Sequence, residues 1–397
     1  MANSYSNFFR SKYFKIYLIS IFIFSVLLLS DKFLNPTAWT TSEWLINYQG
    51  GFVRRGLSGE ILYQINNLID IPLRYLVFYF EIVLIFVFLL LTYKFLYEIK
   101  LNVLLIFIFF SPIFLIYPVA ENEVLGRKEY LFFSIYLVYL NLLISNNRKI
   151  YLFLIFSLPI MNLVWDGIIF YLFFFLFAFL YKKNLNKKEL VLFLLSIIPY
   201  IVSLYFVINA KSNPLGFEQM CQSLNEDCFG AMFALDKSLI WNINYVITRF
   251  ENIYLLRYFF VIIICFSPIL LFSFYENKKL IIENLSISKS KFLMYLISIS
   301  LILIFMLIGF DWGRWIHIGY VMSVFTLCFF IKNKNTDFEQ NIFFKKVKAI
   351  SINYPTLFYF FFFTYILSWN MKATMTGDIG SIPYYRIFVK IIKLFAG

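Results

Sequence analysis

Long apolar runs recur along this chain, and they constrain its fold more than any other feature. Residues 14–30, with the sequence FKIYLISIFIFSVLLLS, form one such run, and residues 71–93 form another. A helix of about 20 apolar residues crosses a hydrocarbon core about 30 Å thick, whereas a membrane β-strand needs alternating polar and apolar positions, which these runs lack. Only 14% of the residues are charged, against about 25% in soluble domains. We therefore predict an all-α, polytopic integral membrane protein.

About eleven transmembrane helices are predicted, all within a single transmembrane domain that covers residues 1–397. The first is interpreted as a retained anchor, because the segment SDKFLN that follows it lacks the small residues of a cleavage site. The predicted spans are 14–30, 71–93, 101–118, 130–146, 150–164, 167–181, 189–209, 257–274, 292–310, 316–331 and 355–370.

Lysine is concentrated in loops on one side of this predicted topology. The segments FRSKYFK, YKKNLNKK and IKNKN all fall on that side, and cytoplasmic loops carry an excess of Lys and Arg. The N-terminus is therefore predicted to be cytoplasmic. Two long outer loops, at about 31–70 and 210–256, are predicted to face the periplasm from the inner membrane of a bacterium.

Arginine and tryptophan show the opposite distribution. Eight of the ten arginines and all seven tryptophans fall on the outer side of the predicted topology. An aromatic belt would mark both interfaces, so a belt alone does not explain the asymmetry. The arginine fork pairs bidentately with phosphate, and tryptophan offers a flat apolar face. Such an outer surface suits a ligand with phosphates and sugar rings; the alternative is chance combined with membrane anchoring.

The first outer loop contains the most distinctive segment of the chain, NYQGGFVRRGLSGEI at residues 47–61. Upstream of it, Thr40 and Glu43 have the spacing of a capping box, which predicts a short helix that stops at Gly50 and Gly51. After the arginines, Leu57, Ile61, Leu68 and Ile69 recur at helical spacing, which predicts an amphipathic helix that lies in the membrane interface. Two interfacial helices are therefore predicted in the first periplasmic loop, with GGFVRRG, residues 50–56, as the turn between them.

The turn between these helices is predicted to bind phosphate. Glycines permit positive φ and a close approach of the backbone to a ligand. Gly50 and Gly51 would then allow Arg54 and Arg55 to clamp a phosphate group. The alternative is a solvated turn that only touches lipid headgroups.

Further candidate residues lie in the later outer loops. Asp166 stands in an apolar stretch, where a carboxylate usually has a function or a partner; the alternative is that it caps the next span. Arg314 could bind substrate or simply pair with Asp311, and His317, the only histidine, could be a packed polar residue. The candidate catalytic residues are Asp166, Asp311, His317, Glu121 and Glu123, and the candidate substrate-binding residues beyond the first loop are Arg127, Arg314, Trp312 and Trp315.

The cysteines divide into two kinds. Cys221 and Cys228 are spaced for a small disulfide-closed loop in an oxidising compartment, and a disulfide between them is predicted. Cys265 and Cys328 fall within predicted spans and are interpreted as packing residues. Four cysteines and one histidine provide no Cys/His cluster for structural zinc, so neither a metal nor another cofactor is predicted.

The predicted chemistry belongs to the outer face. The cytoplasmic loops lack a phosphate-binding loop and a dinucleotide fingerprint, so neither nucleotide chemistry nor a nucleic-acid partner is expected there. An outer-face enzyme takes its activated substrates from the membrane, which in bacteria means sugars on polyprenyl phosphate or pyrophosphate. Transfer from such a donor needs cations for the leaving phosphate, a base for the acceptor hydroxyl and a groove for lipid and sugar.

In length, span number, Phe/Ile/Leu-rich composition and arginine-bearing outer loops, the whole chain resembles the bacterial O-antigen polymerases of the Wzy type, although no single motif is a signature. The resemblance implies a C-type glycosyltransferase architecture and metal-independent polymerisation of undecaprenyl-pyrophosphate-linked oligosaccharide on the periplasmic face, in lipopolysaccharide biosynthesis. It also implies a chain-length co-polymerase and membrane lipid as partners.

One departure from that family favours an alternative. Its members usually carry their large functional loops later in the chain, whereas here the first outer loop is among the largest and contains acidic residues. This arrangement also resembles C-type transferases that use a polyprenyl-phosphate monosaccharide to modify a surface glycan. A lipid-linked oligosaccharide flippase is a third interpretation, which the mostly apolar spans disfavour.

Overall fold

The structure is a computed structural model that describes residues 8–36, 39–182, 185–210, 218, 220, 230–232, 235, 237–274, 285–333, 342–380 and 382–396. Over these ranges the chain is helical, and the β-type pairing there is an isolated parallel bridge between Asn370 and Gly380. The predicted all-α class is confirmed. Cys221 and Cys228, the predicted disulfide pair, lie outside the described residues.

Helices follow one another along the described chain, many of them with short connections. They are α1 (Lys12–Leu34), α2 (Thr41–Leu45), α3 (Leu57–Ile69), α4 (Leu73–Leu96), α5 (Val103–Phe109), α6 (Tyr117–Ala120), α7 (Glu129–Ile144), α8 (Lys149–Val164), α9 (Leu172–Leu180), α10 (Lys187–Asn209), α11 (Leu239–Arg249), α12 (Asn252–Phe274), α13 (Leu285–Ile308), α14 (Trp312–Lys332), α15 (Ile342–Asn353), α16 (Pro355–Leu367) and α17 (Pro383–Ala396). Two 3₁₀ helices, Phe8–Arg10 and Asp166–Tyr171, precede α1 and α9.

Within the described ranges, five helices are long and apolar enough to cross a membrane, namely α1, α4, α10, α12 and α14. The number rises to six if α15 and α16, which are bent by 114° at a break, count as one span. Shorter apolar helices cover 129–144, 149–164, 166–180 and 295–308. By length and composition the chain is a polytopic helical membrane protein, and the predicted eleven spans would require the shorter helices to cross as well.

Helix α14 forms the centre of the bundle. Of its apolar span 89% is buried within the protein, against 28% to 39% for the other four long helices. It packs against α7, α9, α12 and α13, while the pairs α1–α4, α4–α7 and α8–α10 extend the bundle around it. A helix that is apolar all round and remains exposed is typical of a lipid-facing span, so α14 is the protein-facing core, and the other four have the exposed apolar surfaces that are typical of lipid-facing spans.

A broken helical segment packs against α14. Helix α5 is seven residues long, and turns connect it to the four-residue α6. Carbonyls freed by such a break need other partners in an apolar medium. Tyr320 Oη donates to the carbonyl of Ile108 at 2.9 Å, and His317 Nδ1 lies 2.6 Å from the carbonyl oxygen of Ile113. Side chains of α14 thus satisfy the break, and the predicted span 101–118 is interrupted rather than continuous.

Two helices form in the first outer loop, but the first is shorter than predicted. Helix α2 ends at Leu45 rather than at Gly50, and the side chain of Thr40 does not cap it. Glu43 is turned into the protein, where it is 1% exposed. The capping-box interpretation is therefore wrong, because the Glu43 carboxylate pairs with distant arginines instead of with the start of its own helix.

Close packing joins α3 to the segment that precedes it. A Cβ at Gly59 would collide with the carbonyl oxygen of Ile46, so glycine allows the two backbones to touch. Gly51 has a φ of +100° with open space around it, a turn conformation that other residues rarely adopt. Glu60 Oε2 accepts a 2.9 Å hydrogen bond from Tyr48 N, which ties the turn to α3. The segment therefore has a defined conformation built on α3.

Candidate functional site

A buried ion network forms at the end of the bundle where α14 begins, with Glu43 at its centre. Glu43 Oε2 accepts a 3.0 Å hydrogen bond from Arg127 Nη1. Its Oε1 lies 3.7 Å from Arg314 Nη2 and 3.9 Å from Arg55 Nη1. The side chains of Arg127 and Arg314 are each 6% exposed. A buried carboxylate needs cationic or hydrogen-bonding partners, and Glu43 draws them from three separate parts of the chain.

Arg314 connects this network to α7 and to the start of α14. Its Nε donates to Glu129 Oε1 at 2.5 Å, and its Nη1 donates to Asp311 Oδ2 at 3.0 Å. Its Nη2 also pairs with Glu129. One planar guanidinium therefore spans the carboxylates of Glu43, Glu129 and Asp311, which the single ammonium of a lysine could not do.

Arg54, Arg55 and Asp166 form the accessible edge of the network. Arg55 Nε donates to Asp166 Oδ1 at 2.6 Å, and Arg54 Nη1 lies 3.5 Å from Asp166 Oδ2. The side chains of Arg54, Arg55 and Asp166 are 30%, 27% and 16% exposed. An anion from outside can reach these two guanidinium groups, whereas Glu43 and Arg127 are enclosed beneath them.

Arg55 is held in an unusual backbone conformation. Its φ is +66°, a left-handed value that costs a non-glycine residue on the order of 1–3 kcal/mol. Lys128 Nζ donates to the carbonyl of Arg55 at 3.1 Å, and Asp166 anchors the side chain. Strain of this kind persists where the surroundings enforce it, and it is concentrated at functional sites. The Arg55 guanidinium is therefore positioned in advance rather than left to sample solvent.

Lys128 supports this edge from inside the protein. Its side chain is buried, it donates to the carbonyl of Val164 at 3.1 Å, and its Nζ lies 5.5 Å from the ring centroid of Trp44. Burial lowers the pKa of Lys128 to about 7, in spite of the opposing attraction of Glu43. Its charge therefore changes near neutral pH, close to the backbone that positions Arg55.

The arginines keep Glu43 and Asp166 ionised. Burial by itself would raise the pKa of Glu43, but Arg314 and the other cations outweigh it and lower the pKa to about 2. The same competition acts on Asp166, where burial opposes Arg55 and Arg54 and the arginines lower the pKa. A ligand that drew these arginines away would leave only the effect of burial, and Asp166 would then become a stronger base.

Most of the predicted charged residues belong to this network, while the two glutamates of the second outer loop do not. Glu121 pairs with Arg386 at 3.0 Å, and Glu123 contributes its backbone carbonyl to Arg127 Nε at 2.8 Å. Gly50 and Gly51 lie in the turn that leads to the edge. The predicted residues that the structure brings together are Arg54, Arg55, Arg127, Arg314, Asp166 and Asp311.

His317, Trp312 and Trp315 pack inside the bundle. His317 is 2% exposed and faces the break after α5. Trp312 Nε1 donates to the carbonyl of Met306 at 2.7 Å, and the Trp315 ring lies 4.1 Å from the ring of Phe305. The tryptophan contacts tie the turn between α13 and α14 together, while His317 contacts the break after α5, so all three side chains are buried within the bundle.

Glu43, Lys128 and Glu129 are central to the network, but the sequence does not single them out as site residues. Lys128 and Glu129 directly follow Arg127 in a chain that is only 14% charged, which is the signal that could have pointed to them. Glu43 fits a local capping pattern equally well. Burial of all three, at 2% exposure or less, is the property that distinguishes them, and it exists only in the folded chain.

No group of three or more His, Cys, Asp or Glu side chains in the described ranges could hold a metal ion. The carboxylates of the network are paired with arginines instead. Comparisons with protein-family models, with curated proteins and with solved structures find no match for this chain. What the protein does must therefore be inferred from the network itself.

Proposed function

We propose that this chain is a membrane glycosyltransferase that polymerises oligosaccharide units linked to undecaprenyl pyrophosphate, without a metal or other cofactor. The proposal rests on one observation: two partly exposed arginines, Arg54 and Arg55, stand at the edge of a buried ion network with the carboxylate of Asp166 between them. Fixed cations in a partly enclosed site stabilise a departing phosphate oxyanion effectively, because they need no reorganisation during the reaction.

Arg54 and Arg55 bind the pyrophosphate of the donor lipid in this proposal. Asp166 holds both guanidinium groups, at 3.5 Å and 2.6 Å. A pyrophosphate carries more charge than a carboxylate and offers several oxygens to the two forks, so it displaces Asp166 from them. The acceptor hydroxyl attacks the anomeric carbon, the bond from that carbon to the pyrophosphate oxygen breaks, and the leaving group departs with the electron pair.

Asp166 takes the proton of the acceptor hydroxyl. Once pyrophosphate engages the arginines, the cations that lower the pKa of Asp166 no longer act fully on it, and burial raises its proton affinity. Asp311, whose side chain is 29% exposed, is the alternative base. Glu43 and Glu129, whose side chains are 1% and 3% exposed, are too enclosed to reach a substrate and hold the arginines in place.

This function places the ion network at the periplasmic face of the inner membrane, with a chain-length co-polymerase and membrane lipid as partners. The exposed side of α3 supports a location at the membrane surface. Ile61, Leu68 and Ile69 on that helix are 51%, 81% and 55% exposed, and an apolar face of this kind is typical of a helix that lies in the interface.

Cysteine labelling tests the orientation. In a background with Cys221 and Cys228 replaced by serine, a cysteine at the exposed Asn67 should react with an impermeant thiol reagent applied from the periplasm. A cysteine at the exposed Lys188 should react only after the inner membrane is broken. The reverse pattern would overturn both the orientation and the proposed function.

Deletion of the gene tests the activity. Loss of a polymerase should leave single repeat units on the lipopolysaccharide, and a plasmid copy of the wild-type gene should restore the ladder of chain lengths. The Asp166→Asn variant should reach normal protein levels but fail to restore the ladder. A strain that keeps its full polymer after deletion would contradict the proposal.

Transfer of a single sugar from a polyprenyl phosphate is the second candidate function, and the position of Glu43 favours it. That acidic residue of the first outer loop lies at the centre of the network, and acidic residues in early outer loops are the feature that resembles the single-sugar transferases. Deletion would then leave polymer of normal length that lacks one sugar, which mass spectrometry of the released glycan would detect.

A further inference from the structure

A second charged cluster lies where α6, α17 and the loop before α17 meet. Arg386 Nη1 donates to Glu121 Oε2 at 3.0 Å, and Arg386 Nη2 donates to Asp378 Oδ1 at 2.7 Å. Lys372 Nζ lies 3.7 Å from the same oxygen of Glu121. Lys390 Nζ, one helical turn beyond Arg386, donates to a backbone carbonyl of α6 at 2.9 Å. The cluster thus assembles three cations around one buried carboxylate.

Three cations face one buried carboxylate at this cluster, while two further carboxylates nearby, those of Glu123 and Asp378, are exposed. Asp378, the second carboxylate, is 66% exposed, so solvent screens its effect on the cluster. Burial and the nearby cations Lys372 and Arg386 together lower the pKa of Lys390 to about 8. The attraction of Glu121 and Glu123 opposes this shift without cancelling it. The three cations therefore repel one another within a partly buried space, and an added anion would relieve that repulsion.

Helix α17 brings this cluster to the lipid. Tyr385, Phe388 and Ile392 are 65%, 65% and 60% exposed, and their spacing puts them on one side of the helix. Arg386 and Lys390, four residues apart, form a second row that contacts the protein. An apolar face beside a cationic one is typical of a helix that lies against membrane lipid. A lipid headgroup is therefore the anion that this cluster would meet first.

We propose that Lys372, Arg386 and Lys390 bind the phosphate group of a membrane lipid at a site separate from the ion network. An ammonium group has three donors, and the contact of Lys390 with α6 engages one of them. Lys372 is 40% exposed at its side chain and is open to a ligand from outside. Phosphate oxygens accept hydrogen bonds from both lysines, while Arg386, which stays paired with Glu121 and Asp378, contributes its positive charge.

The shared chemistry of the ligand is a phosphate on a lipid anchor, and two kinds of lipid supply it. One is an anionic phospholipid, which would make the site a membrane anchor for α17. The other is a polyprenyl pyrophosphate, which would make it a second binding site for the class of substrate proposed above. The site itself does not depend on the proposed glycosyl transfer, because its cations lie outside the network of Arg54 and Arg55.

Native mass spectrometry of the full-length protein in detergent tests the site. The protein is titrated separately with phosphatidylglycerol and with farnesyl pyrophosphate, a short soluble polyprenyl pyrophosphate. We expect Lys372→Gln combined with Lys390→Gln to weaken binding of the preferred lipid about tenfold to a hundredfold, as expected for loss of charge-assisted hydrogen bonds. The lipid with the larger loss identifies the source of the phosphate.

Lys393→Gln is the matched control, because Lys393 is an exposed lysine on the same helix. This variant should bind both lipids as the wild type does. Lys372→Gln alone is the second variant, since its partly exposed side chain can be lost without unfolding the protein. Wild-type binding by the double variant, or an equal loss in Lys393→Gln, would overturn the site. Displacement of the lipid by inorganic pyrophosphate at equal concentration would overturn its assignment to a lipid.

The measurement needs no turnover, so its outcome and that of the gene deletion are independent. A protein that binds lipid at these lysines yet makes no polymer would contradict the proposed function alone.

Discussion

Replacement of Arg54 by alanine separates ligand binding from structural support at the edge of the ion network. Arg54 Nη1 lies 3.5 Å from Asp166 Oδ2, and the Arg54 side chain is 30% exposed. A partly exposed ion pair of this length contributes about 0–1 kcal/mol to stability, since water and salt screen it. The free energy of unfolding should therefore change little, because Arg55 continues to pair with Asp166 at 2.6 Å.

Function should respond much more strongly than stability. A hydrogen bond from a guanidinium group to phosphate contributes about 1.5–3 kcal/mol. Its loss corresponds to about a tenfold to a hundredfold fall in binding or turnover. We expect Arg54→Ala to shorten or abolish the polymer while protein level and apparent melting temperature stay normal.

The assay is complementation of the gene deletion, with polymer length read from gels, protein level from immunoblots and melting temperature from the purified protein in detergent. Arg249→Ala is the matched control, because Arg249 is an exposed arginine whose guanidinium packs 3.7 Å over the Tyr245 ring; it should give normal polymer. Full-length polymer from Arg54→Ala would refute a phosphate-binding role. Loss of polymer together with a large fall in melting temperature would show that Arg54 is structural instead.

Three further changes test the supports of the site. Arg314→Lys keeps the charge but cannot span three carboxylates, so we expect loss of polymer and a fall in unfolding free energy of about 1.5–3 kcal/mol for each charged hydrogen bond lost, measured by denaturation. Gly59→Ala should cost about 1–3 kcal/mol by overpacking, whereas Gly380→Ala, with open space around the added Cβ, should be neutral in the same experiment. The pKa of Lys128, about 7 in the fold, lies below its unfolded value of about 10.4. The folded protein therefore binds fewer protons between these values and its melting temperature should rise from pH 7 to pH 9, less so in Lys128→Met.

The spans show how far hydropathy predicts the fold. Three of the predicted spans, 14–30, 71–93 and 189–209, correspond to α1, α4 and α10. A lone apolar segment satisfies all its backbone hydrogen bonds in hydrocarbon only as a helix. The predicted span 101–118 is equally apolar, yet α5 stops after seven residues. Its break is tolerated because Tyr320 lies beside a freed carbonyl, and no local pattern reveals a partner that comes from another helix.

The ion network also depends on contacts between distant segments, which local sequence patterns do not reveal. The sequence predicts arginines and carboxylates on the outer side of the membrane, but it does not predict their pairing. Arg127 meets Glu43 across 84 positions of the chain, and Arg314 meets Glu129 across 185. For Glu43 the local capping pattern is misleading, since arginines from three other parts of the chain pair with its buried charge, and the start of its own five-residue helix does not.

The sequence by itself determined that the chain is helical, has apolar runs long enough to cross a membrane and carries arginines in its predicted outer loops, because these depend on residue type and on the length of apolar runs. The tertiary structure alone decided which arginines are partly exposed and which are enclosed. Arg54 and Arg127 are both arginines and lie in neighbouring predicted outer loops, yet their side chains are 30% and 6% exposed. The charge of an arginine is a property of the residue itself. Its burial and its ion-pair partners arise only when α2, α7 and α14 pack together around Glu43.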